Sequence, residues 1–367
     1  MFRRLFLLTA LPALFPLMAC AQPPAPAALA DLPSPAQSEP SSVSNYVDDR
    51  FWIVSSRRVP QSDGQIGCGP LDVWSVDCPQ CLGPCPPANV KPQINRCPNR
   101  ESILSQSLTP GVPVCIVVHG SYVKWQTAIE YSWKTFRWLR RGRPGQPLHV
   151  IFYSWPSDAM TLLPHVDFNV LGPRAARNGF YLSRLLQQVP AESPVSLIGH
   201  SQGTRSITSL LHLMSGGSVQ GYRLPTGVER GHQIRVVFTA AAIDHDWLNP
   251  GQRYGGALCR TEALLNLVNQ RDWALGFYHL RTLNSKQATG RAGFTKRDYQ
   301  SMGPLAHRIH QMDVTREMGK NHNWEDYISR PSLAAAISPY IYFAARAPAV
   351  PERVLSPPND TQQSRYR

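Results

Sequence analysis

Three residues far apart in the chain have the types needed to turn an alcohol into a nucleophile. Ser201 lies in Gly-His-Ser-Gln-Gly, Asp272 follows an apolar run, and His322 lies in a loop near the end of the regular pattern. A serine hydroxyl is a poor nucleophile unless a base takes its proton, and that base needs a carboxylate to orient it. These residue types therefore predict a nucleophile, an acid and a base for acyl transfer.

The flanks of the Gly-x-Ser-x-Gly sequence make it informative. An apolar run at 195–198 precedes it, and apolar residues at helical spacing follow it from 207 to 214. Strand, sharp turn and helix is the context of a nucleophile elbow. Such a turn needs small residues beside Ser201, and it aims the backbone N–H of Gln202 at a developing oxyanion. The alternative is a glycine-rich turn that carries a serine by chance.

The order of residues along the chain selects the acid and the base. With this elbow, an acidic residue follows the serine and a histidine follows the acid. Asp272 comes directly after an apolar run at 264–268, and Asp244, one predicted strand earlier, is the alternative acid. Of the histidines after Asp272, only His322 lies in a loop beyond the last predicted strand, so it is the predicted base.

A second oxyanion donor is expected after the predicted strand at 113–118, where Gly120 lets the backbone turn sharply. The N–H of Ser121 or of Tyr122 could supply it. His119 is expected to support this loop rather than to take part in catalysis. No metal and no organic cofactor is needed by this chemistry.

The elements that must position these residues alternate between strands and helices. Apolar residues at helical spacing predict helices at 125–139, at 175–186, after the elbow, and at 332–344. Alternation of this kind predicts an α/β fold with a mostly parallel central sheet flanked by helices. Right-handed crossovers place the carboxyl ends of all parallel strands at one edge, which is where ligands bind. The strands are predicted at 46–55, 113–118, 149–154, 195–198, 234–239, 264–268 and 309–314.

Residues 112–344 resemble the α/β-hydrolase fold family, in a bacterial esterase- and lipase-like branch of unassigned substrate. The resemblance implies Ser201 as nucleophile, Asp272 as acid and His322 as base, with ester hydrolysis as the usual chemistry. It does not extend to the Cys-rich segment. The shared pattern is VVHG at 117–120, FYSWPS at 152–157, GHSQG at 199–203, the aspartate after a strand and the late histidine.

The first 19 residues are typical of a signal peptide. Two arginines precede an apolar stretch at 5–19 that is too short, and too broken by prolines, to span a membrane. The stretch ends in Leu-Met-Ala-Cys, which resembles a lipobox with Cys20 as the lipidated residue. The chain is therefore expected to be exported to the cell envelope as a membrane-anchored lipoprotein. Simple cleavage, giving a periplasmic or secreted protein, is the alternative.

The amino-acid composition of the remaining segments predicts a tether, a folded domain and a tail. Residues 20–45 are rich in Pro, Ala and Ser and predict a flexible tether. One α/β-hydrolase domain is predicted at 46–345, including a Cys-rich insert at 68–97 that forms an N-terminal excursion from the fold. Residues 346–367 are predicted to be a disordered tail.

Five cysteines lie in that insert, and Cys115 and Cys259 lie far from it. Cys78 and Cys81 have the spacing of zinc ligands, but no second pair follows. Export to an oxidising compartment favours disulfides instead. Because five is odd, one partner is expected outside the insert. Cys259 is the better candidate, since Cys115 lies in a predicted buried strand.

The number and distribution of charged residues indicate which classes of partner to expect. The formal net charge is +13, but the basic residues are scattered and no nucleic-acid module is present, so no nucleic-acid partner is expected. The expected partners are a small-molecule or lipid ester and, through the lipid on Cys20, a membrane. The apolar loop at 156–171 favours an acyl chain. Two other functions stay open: an acyltransferase, and a non-catalytic protein that binds anionic envelope polymer.

Overall fold

A β-sheet forms the centre of the protein in the computed structural model. The structure describes residues 50–59, 69–77, 92–98, 101–158, 164–225, 231–282 and 285–343, with only the backbone at 164–168. Within these ranges nine strands form one sheet. They are Arg50–Ser55 (β1), Asp72–Asp77 (β2), Gln93–Arg96 (β3), Val114–Val118 (β4), His149–Ser154 (β5), Val195–His200 (β6), Ile234–Thr239 (β7), Ala263–Val268 (β8) and Ile309–Asp313 (β9).

The sheet is mostly parallel, as predicted. Its order is β3-β2-β1-β5-β4-β6-β7-β8-β9, and every neighbouring pair from β1 to β9 in this order is parallel. All residues of β4 to β8 are buried, as expected for parallel strands covered on both faces. β2 and β3 extend one edge in antiparallel pairing. The sequence analysis missed these two strands, because β3 is polar and lacks an apolar pattern.

Helices cover both faces of the sheet. Buried apolar side chains form one cluster on each face. The helices at 164–186 and 203–214 contribute to one cluster, and the helices at 125–142, 324–328 and 331–341 contribute to the other. Short 3-10 helices lie at Ala257–Arg260, Tyr278–Leu280 and Gly303–Arg308. The α-helices are Ser102–Ser107 (α1), Trp125–Gly142 (α2), Pro164–Leu186 (α3), Gly203–Met214 (α4), Trp273–Gly276 (α5), Thr289–Ala292 (α6), Lys296–Met302 (α7), Thr315–Met318 (α8), Trp324–Ile328 (α9) and Pro331–Ile341 (α10).

The strand order reverses direction beside β4, which has β5 on one side and β6 on the other. In open α/β sheets, ligands bind beyond the carboxyl ends of the strands at such a point. The predicted loop at Gly120 follows β4, and the predicted elbow at Ser201 follows β6. The topology therefore places these two segments side by side.

Several predicted features fall outside the described residues. These are the signal peptide at 1–19, the tether at 20–45, the tail at 346–367, and Cys20, Cys68, Cys78, Cys81 and Cys85. Cys259 is disulfide-bonded, whereas Cys97 and Cys115 are free thiols, so the partner of Cys259 also lies outside the described ranges. None of the helices in those ranges combines the length and apolar character needed to span a bilayer.

Candidate active site

The turn between β6 and α4 holds Ser201 in a conformation that few non-glycine residues adopt. Its φ is 51°, which is in the left-handed region that side chains disfavour. Hydrogen bonds hold this backbone in place: the Ser201 N–H donates to the Thr239 carbonyl at 3.0 Å, and the Ala242 N–H donates to the Ser201 carbonyl at 3.2 Å. The sharp turn follows from these contacts with the end of β7.

Three glycines make room for this turn. A Cβ on Gly203 would lie 2.2 Å from the Val118 carbonyl oxygen, and one on Gly120 would lie 2.9 Å from the Cβ of Ser201. A Cβ on Gly199 would lie 2.8 Å from the Cα of a residue in the first turn of α4. The elbow therefore packs against the end of β4 at a distance that only glycine permits.

The structure brings together the three residues that the sequence analysis selected. The Nε2 atom of His322 lies 3.2 Å from the Oγ of Ser201, and its Nδ1 lies 2.8 Å from the Oδ2 of Asp272. Asp272 is fully buried, and its Oδ1 accepts the Leu275 N–H at 2.9 Å as the N-cap of α5. With the Nδ1–H donated to the carboxylate, Nε2 is left with a lone pair that can accept the serine proton.

Asp244, the alternative acid, is engaged elsewhere. It is buried, forms an ion pair with Arg281, and accepts a hydrogen bond from the Tyr278 hydroxyl at 3.0 Å. The histidine that lies within hydrogen-bond distance of Ser201 is His322, and its aspartate partner is Asp272. The geometry therefore favours Asp272 over Asp244 as the acid.

The candidate oxyanion donors differ in what they already bind. The backbone N–H of Gln202, at the N-terminus of α4, donates to no residue that the structure describes, and the same is true of Ser121. The Tyr122 N–H donates to the Ser157 carbonyl at 2.7 Å, so it is not available. Of the two predicted alternatives after β4, this contact favours Ser121 over Tyr122 as the donor.

Polar side-chain atoms near the elbow also lack protein partners. The Ser121 hydroxyl and both amide atoms of Gln202 are buried, and none of them has a hydrogen-bond partner in the described part of the chain. Buried polar atoms are rarely left unpaired in folded proteins, so each needs an explanation. Both residues adjoin the turn: Gln202 follows Ser201, and Ser121 follows Gly120, which packs against Ser201.

Two buried histidines support the site. His119 lies against its own loop, with Nδ1 2.8 Å from the Gly120 carbonyl and Nε2 3.2 Å from the Ser154 hydroxyl. Burial, with a contribution from the nearby charge of Arg57, lowers the pKa of His119 to about 3, so it is neutral at physiological pH. These contacts agree with the predicted supporting role.

The second buried histidine, His200, was missed by the sequence analysis, although it occupies the first variable position of the Gly-x-Ser-x-Gly sequence. Its ring centre lies 5.4 Å from that of His322 and 5.4 Å from that of Trp324. Burial lowers the pKa of His200 well below its ordinary value, and the neighbouring imidazoles of His322 and His119 lower it further. A neutral ring therefore packs beside the candidate base.

Large apolar side chains are exposed immediately after Asp272. Trp273, Phe277 and Leu280 are 60%, 62% and 65% exposed. Exposed apolar groups that cluster in this way mark contact surfaces. The sequence analysis expected an apolar pocket in the loop at 156–171 instead. Residues 164–171 belong to α3 and not to a loop, so that part of the prediction is wrong. Because 159–163 lie outside the described residues, the pocket itself stays a prediction.

Comparison with known proteins gives no identification. The chain matches no protein-family model, and no curated protein matches it. In the described ranges, no group of three His, Cys, Asp or Glu side chains is arranged to hold a metal ion.

Proposed function

We propose that this chain is a serine hydrolase of carboxylic esters, with an α/β-hydrolase fold and a Cys-rich N-terminal excursion. The observation that carries the proposal is the imidazole of His322, which lies within hydrogen-bond distance of both the Ser201 hydroxyl and the buried Asp272 carboxylate. Position supports it further, because Ser201 lies at the reversal point of the sheet with two unengaged N–H groups near it.

Acylation follows from this geometry. The Oγ of Ser201 attacks the ester carbonyl carbon while Nε2 of His322 takes the hydroxyl proton. The N–H groups of Gln202 and Ser121 stabilise the negative oxygen of the tetrahedral intermediate. As the intermediate collapses, the C–O bond to the leaving group breaks, and His322 gives its proton to the departing alkoxide. The products of this half-reaction are an alcohol and an acyl group on Ser201.

Deacylation repeats these steps with water as the nucleophile. His322 takes a proton from water as the water oxygen attacks the acyl carbonyl, and the same N–H groups stabilise the second intermediate. Collapse breaks the bond to Ser201 and returns the proton to its Oγ, which releases the carboxylic acid. Asp272 keeps the imidazole oriented and stabilises its charged form in both halves.

Hydrolysis of 4-nitrophenyl butyrate by the wild type, Ser201→Ala, His322→Ala and the double variant tests this proposal. Residues that act as one unit are strongly non-additive. We expect each single variant to lose about 10⁴-fold or more in kcat/KM, and the double variant to lose little further. Folded Ser201→Ala protein that keeps wild-type hydrolysis would contradict the proposal, as would multiplicative losses in the double variant.

The substrate is proposed to be a small-molecule or lipid ester with an apolar acyl chain. The support is the exposed set Trp273, Phe277 and Leu280 next to Asp272. A series of 4-nitrophenyl esters from acetate to palmitate, assayed below their aggregation limits, measures this preference. We expect kcat/KM to rise with chain length in the wild type and to rise less in Phe277→Ser.

For location we propose an envelope lipoprotein anchored through Cys20, on the sequence pattern alone. Labelled palmitate should enter the full chain, and Cys20→Ser should abolish labelling and release the protein from the membrane fraction. Equal labelling of both chains would contradict the anchor.

A further inference from the structure

Arg205, on α4, is a buried arginine with no carboxylate partner among the residues that the structure describes. The residue is 6% exposed. Its one side-chain hydrogen bond within the described ranges is from Nε to the Tyr254 hydroxyl at 3.3 Å. Its guanidinium carbon lies 4.9 Å from the centre of the Trp247 ring. The Tyr254 hydroxyl and the Trp247 ring contact the guanidinium, and its two terminal nitrogens have no acceptor in the described part of the chain.

Two other arginines with buried side chains have acidic partners. Arg235 forms an ion pair with Glu262 at 2.9 Å, and Arg281 forms one with Asp244. Burying a charge without a partner is costly, and its retention is a common mark of a functional site. Arg205 therefore differs from these arginines in a way that packing alone does not explain.

The position of Arg205 links it to the proposed active site. Arg205 lies in the first turn of α4, and its backbone N–H donates to the carbonyl of Gln202, the residue after Ser201, at 3.0 Å. A Cβ on Gly172 of α3 would lie 2.3 Å from its Nη1 atom, so the guanidinium lies against the backbone of that helix. The head group is thus held between α3 and the segment that contains Trp247.

The surroundings of Arg205 are positive overall. Arg253 and Arg281 also contact the Trp247 ring, at 4.5 Å and 5.5 Å from its centre. Among the described residues, a carboxylate partner is found for one of these three guanidinium groups, that of Arg281, which pairs with Asp244. A negatively charged group would therefore be attracted here, close to the end of β7 that supports the elbow.

We propose that Arg205 binds an anionic oxygen group, carboxylate or phosphate, on the ester that Ser201 attacks. Guanidinium presents paired N–H donors that match two oxygens of such a group. The inference rests on the proposed function and extends it: the substrate class is an ester that carries a negative charge. Arg205 is then a residue that determines specificity.

Matched esters test this inference. The probes are 4-nitrophenyl butyrate, the half-ester 4-nitrophenyl hydrogen glutarate, which adds a terminal carboxylate, and a 4-nitrophenyl ester of similar length with a terminal phosphate. The measured quantity is the ratio of kcat/KM for each anionic ester to kcat/KM for the neutral ester. In Arg205→Met, which keeps most of the side-chain volume, we expect this ratio to fall about 10- to 100-fold for the preferred anion, mainly through KM.

Two further variants separate anion binding from packing. Arg253→Met removes an exposed guanidinium from the same indole ring and should change the ratio less than about 3-fold, as expected for an exposed charge. Arg205→Lys keeps the charge but not the paired donors, so it should recover part of the ratio. If Arg205→Met lowers kcat/KM by the same factor for all three esters, the ratios stay unchanged and the inference is wrong.

A binding measurement tests the anion site independently of ester hydrolysis. Glutarate and inorganic phosphate are titrated separately into Ser201→Ala and Ser201→Ala/Arg205→Met proteins while the unfolding temperature is recorded. A ligand that binds only the native state raises that temperature. We expect a rise that requires Arg205 for at least one anion. Equal responses of both proteins to both anions would overturn the inference even if ester hydrolysis is confirmed.

Discussion

Replacing Asp272 by Asn tests how the carboxylate acts. The substitution keeps size and keeps an oxygen that can accept the Leu275 N–H, so the N-cap of α5 is preserved, since Asn and Asp cap equally well. What changes is the contact at 2.8 Å with Nδ1 of His322. An amide N–H₂ facing Nδ1 needs a lone pair there and so favours the tautomer with its proton on Nε2. That tautomer cannot accept the proton of Ser201.

The expected loss of kcat in Asp272→Asn is large because His322 is no longer held in the tautomer that can accept the serine proton. In a triad of this kind the loss is about 10⁴-fold in kcat, which corresponds to about 5 kcal/mol of transition-state stabilisation at 1.36 kcal/mol per tenfold change. The free energy of unfolding should change by less than about 1 kcal/mol, because the cap is kept. Steady-state hydrolysis of 4-nitrophenyl butyrate and urea unfolding measure the two quantities.

Asp244→Asn is the matched control. It leaves Arg281 buried without its carboxylate, so we expect a loss of about 3 kcal/mol of folding stability. Its kcat/KM per folded molecule should stay within about tenfold of the wild type. The reasoning is refuted if Asp272→Asn keeps activity within tenfold of the wild type, or if Asp244→Asn loses more activity than Asp272→Asn.

Three further predictions concern folding and thiol chemistry. Gly203→Ala places a methyl group 2.2 Å from a carbonyl oxygen and should cost about 3 kcal/mol in urea unfolding; Gly231→Ala, where a Cβ meets nothing within 4 Å, should cost little, and equal losses would be inconsistent with the packing described. Burial lowers the pKa of His119 from 6.5 to about 3, so the unfolded chain binds more protons between these values and stability falls as the pH is lowered. From pH 7 to pH 5 this histidine should account for about 2 kcal/mol of that loss, which His119→Gln should remove; an unchanged pH slope would argue against a neutral buried imidazole. Native protein should react with iodoacetamide at the partly exposed Cys97 but not at Cys115, whose thiol is buried with its pKa raised to about 12; labelling of Cys115 without denaturant would contradict this.

The fold could be predicted where burial imposes one pattern on the sequence. Strands such as β4 and β6 are buried on both faces and therefore appear as continuous apolar runs. Ser201 and Asp272 could then be placed together, because parallel strands end at a common edge. β3 could not be predicted, since its polar residues pair only with β2 at the sheet edge.

The parts of the site that were missed depend on contacts distant in sequence. The N–H of Tyr122 is unavailable because the chain after β5 brings the Ser157 carbonyl to it. The proposed role of Arg205 rests on the absence of a carboxylate partner among the described residues, which only the folded structure reveals. Neither fact has a local signal in the sequence, whereas the histidine that follows the last strand does.

Labelling by a fluorophosphonate probe tests the central claim most directly, because the probe reacts with a serine only when the hydroxyl is activated. Intact-mass and peptide analysis of folded protein should show one adduct, on Ser201, formed in the wild type and absent after His322→Ala. Folded wild-type protein that takes no adduct, or an adduct at Ser201 that forms equally fast without His322, would contradict the account.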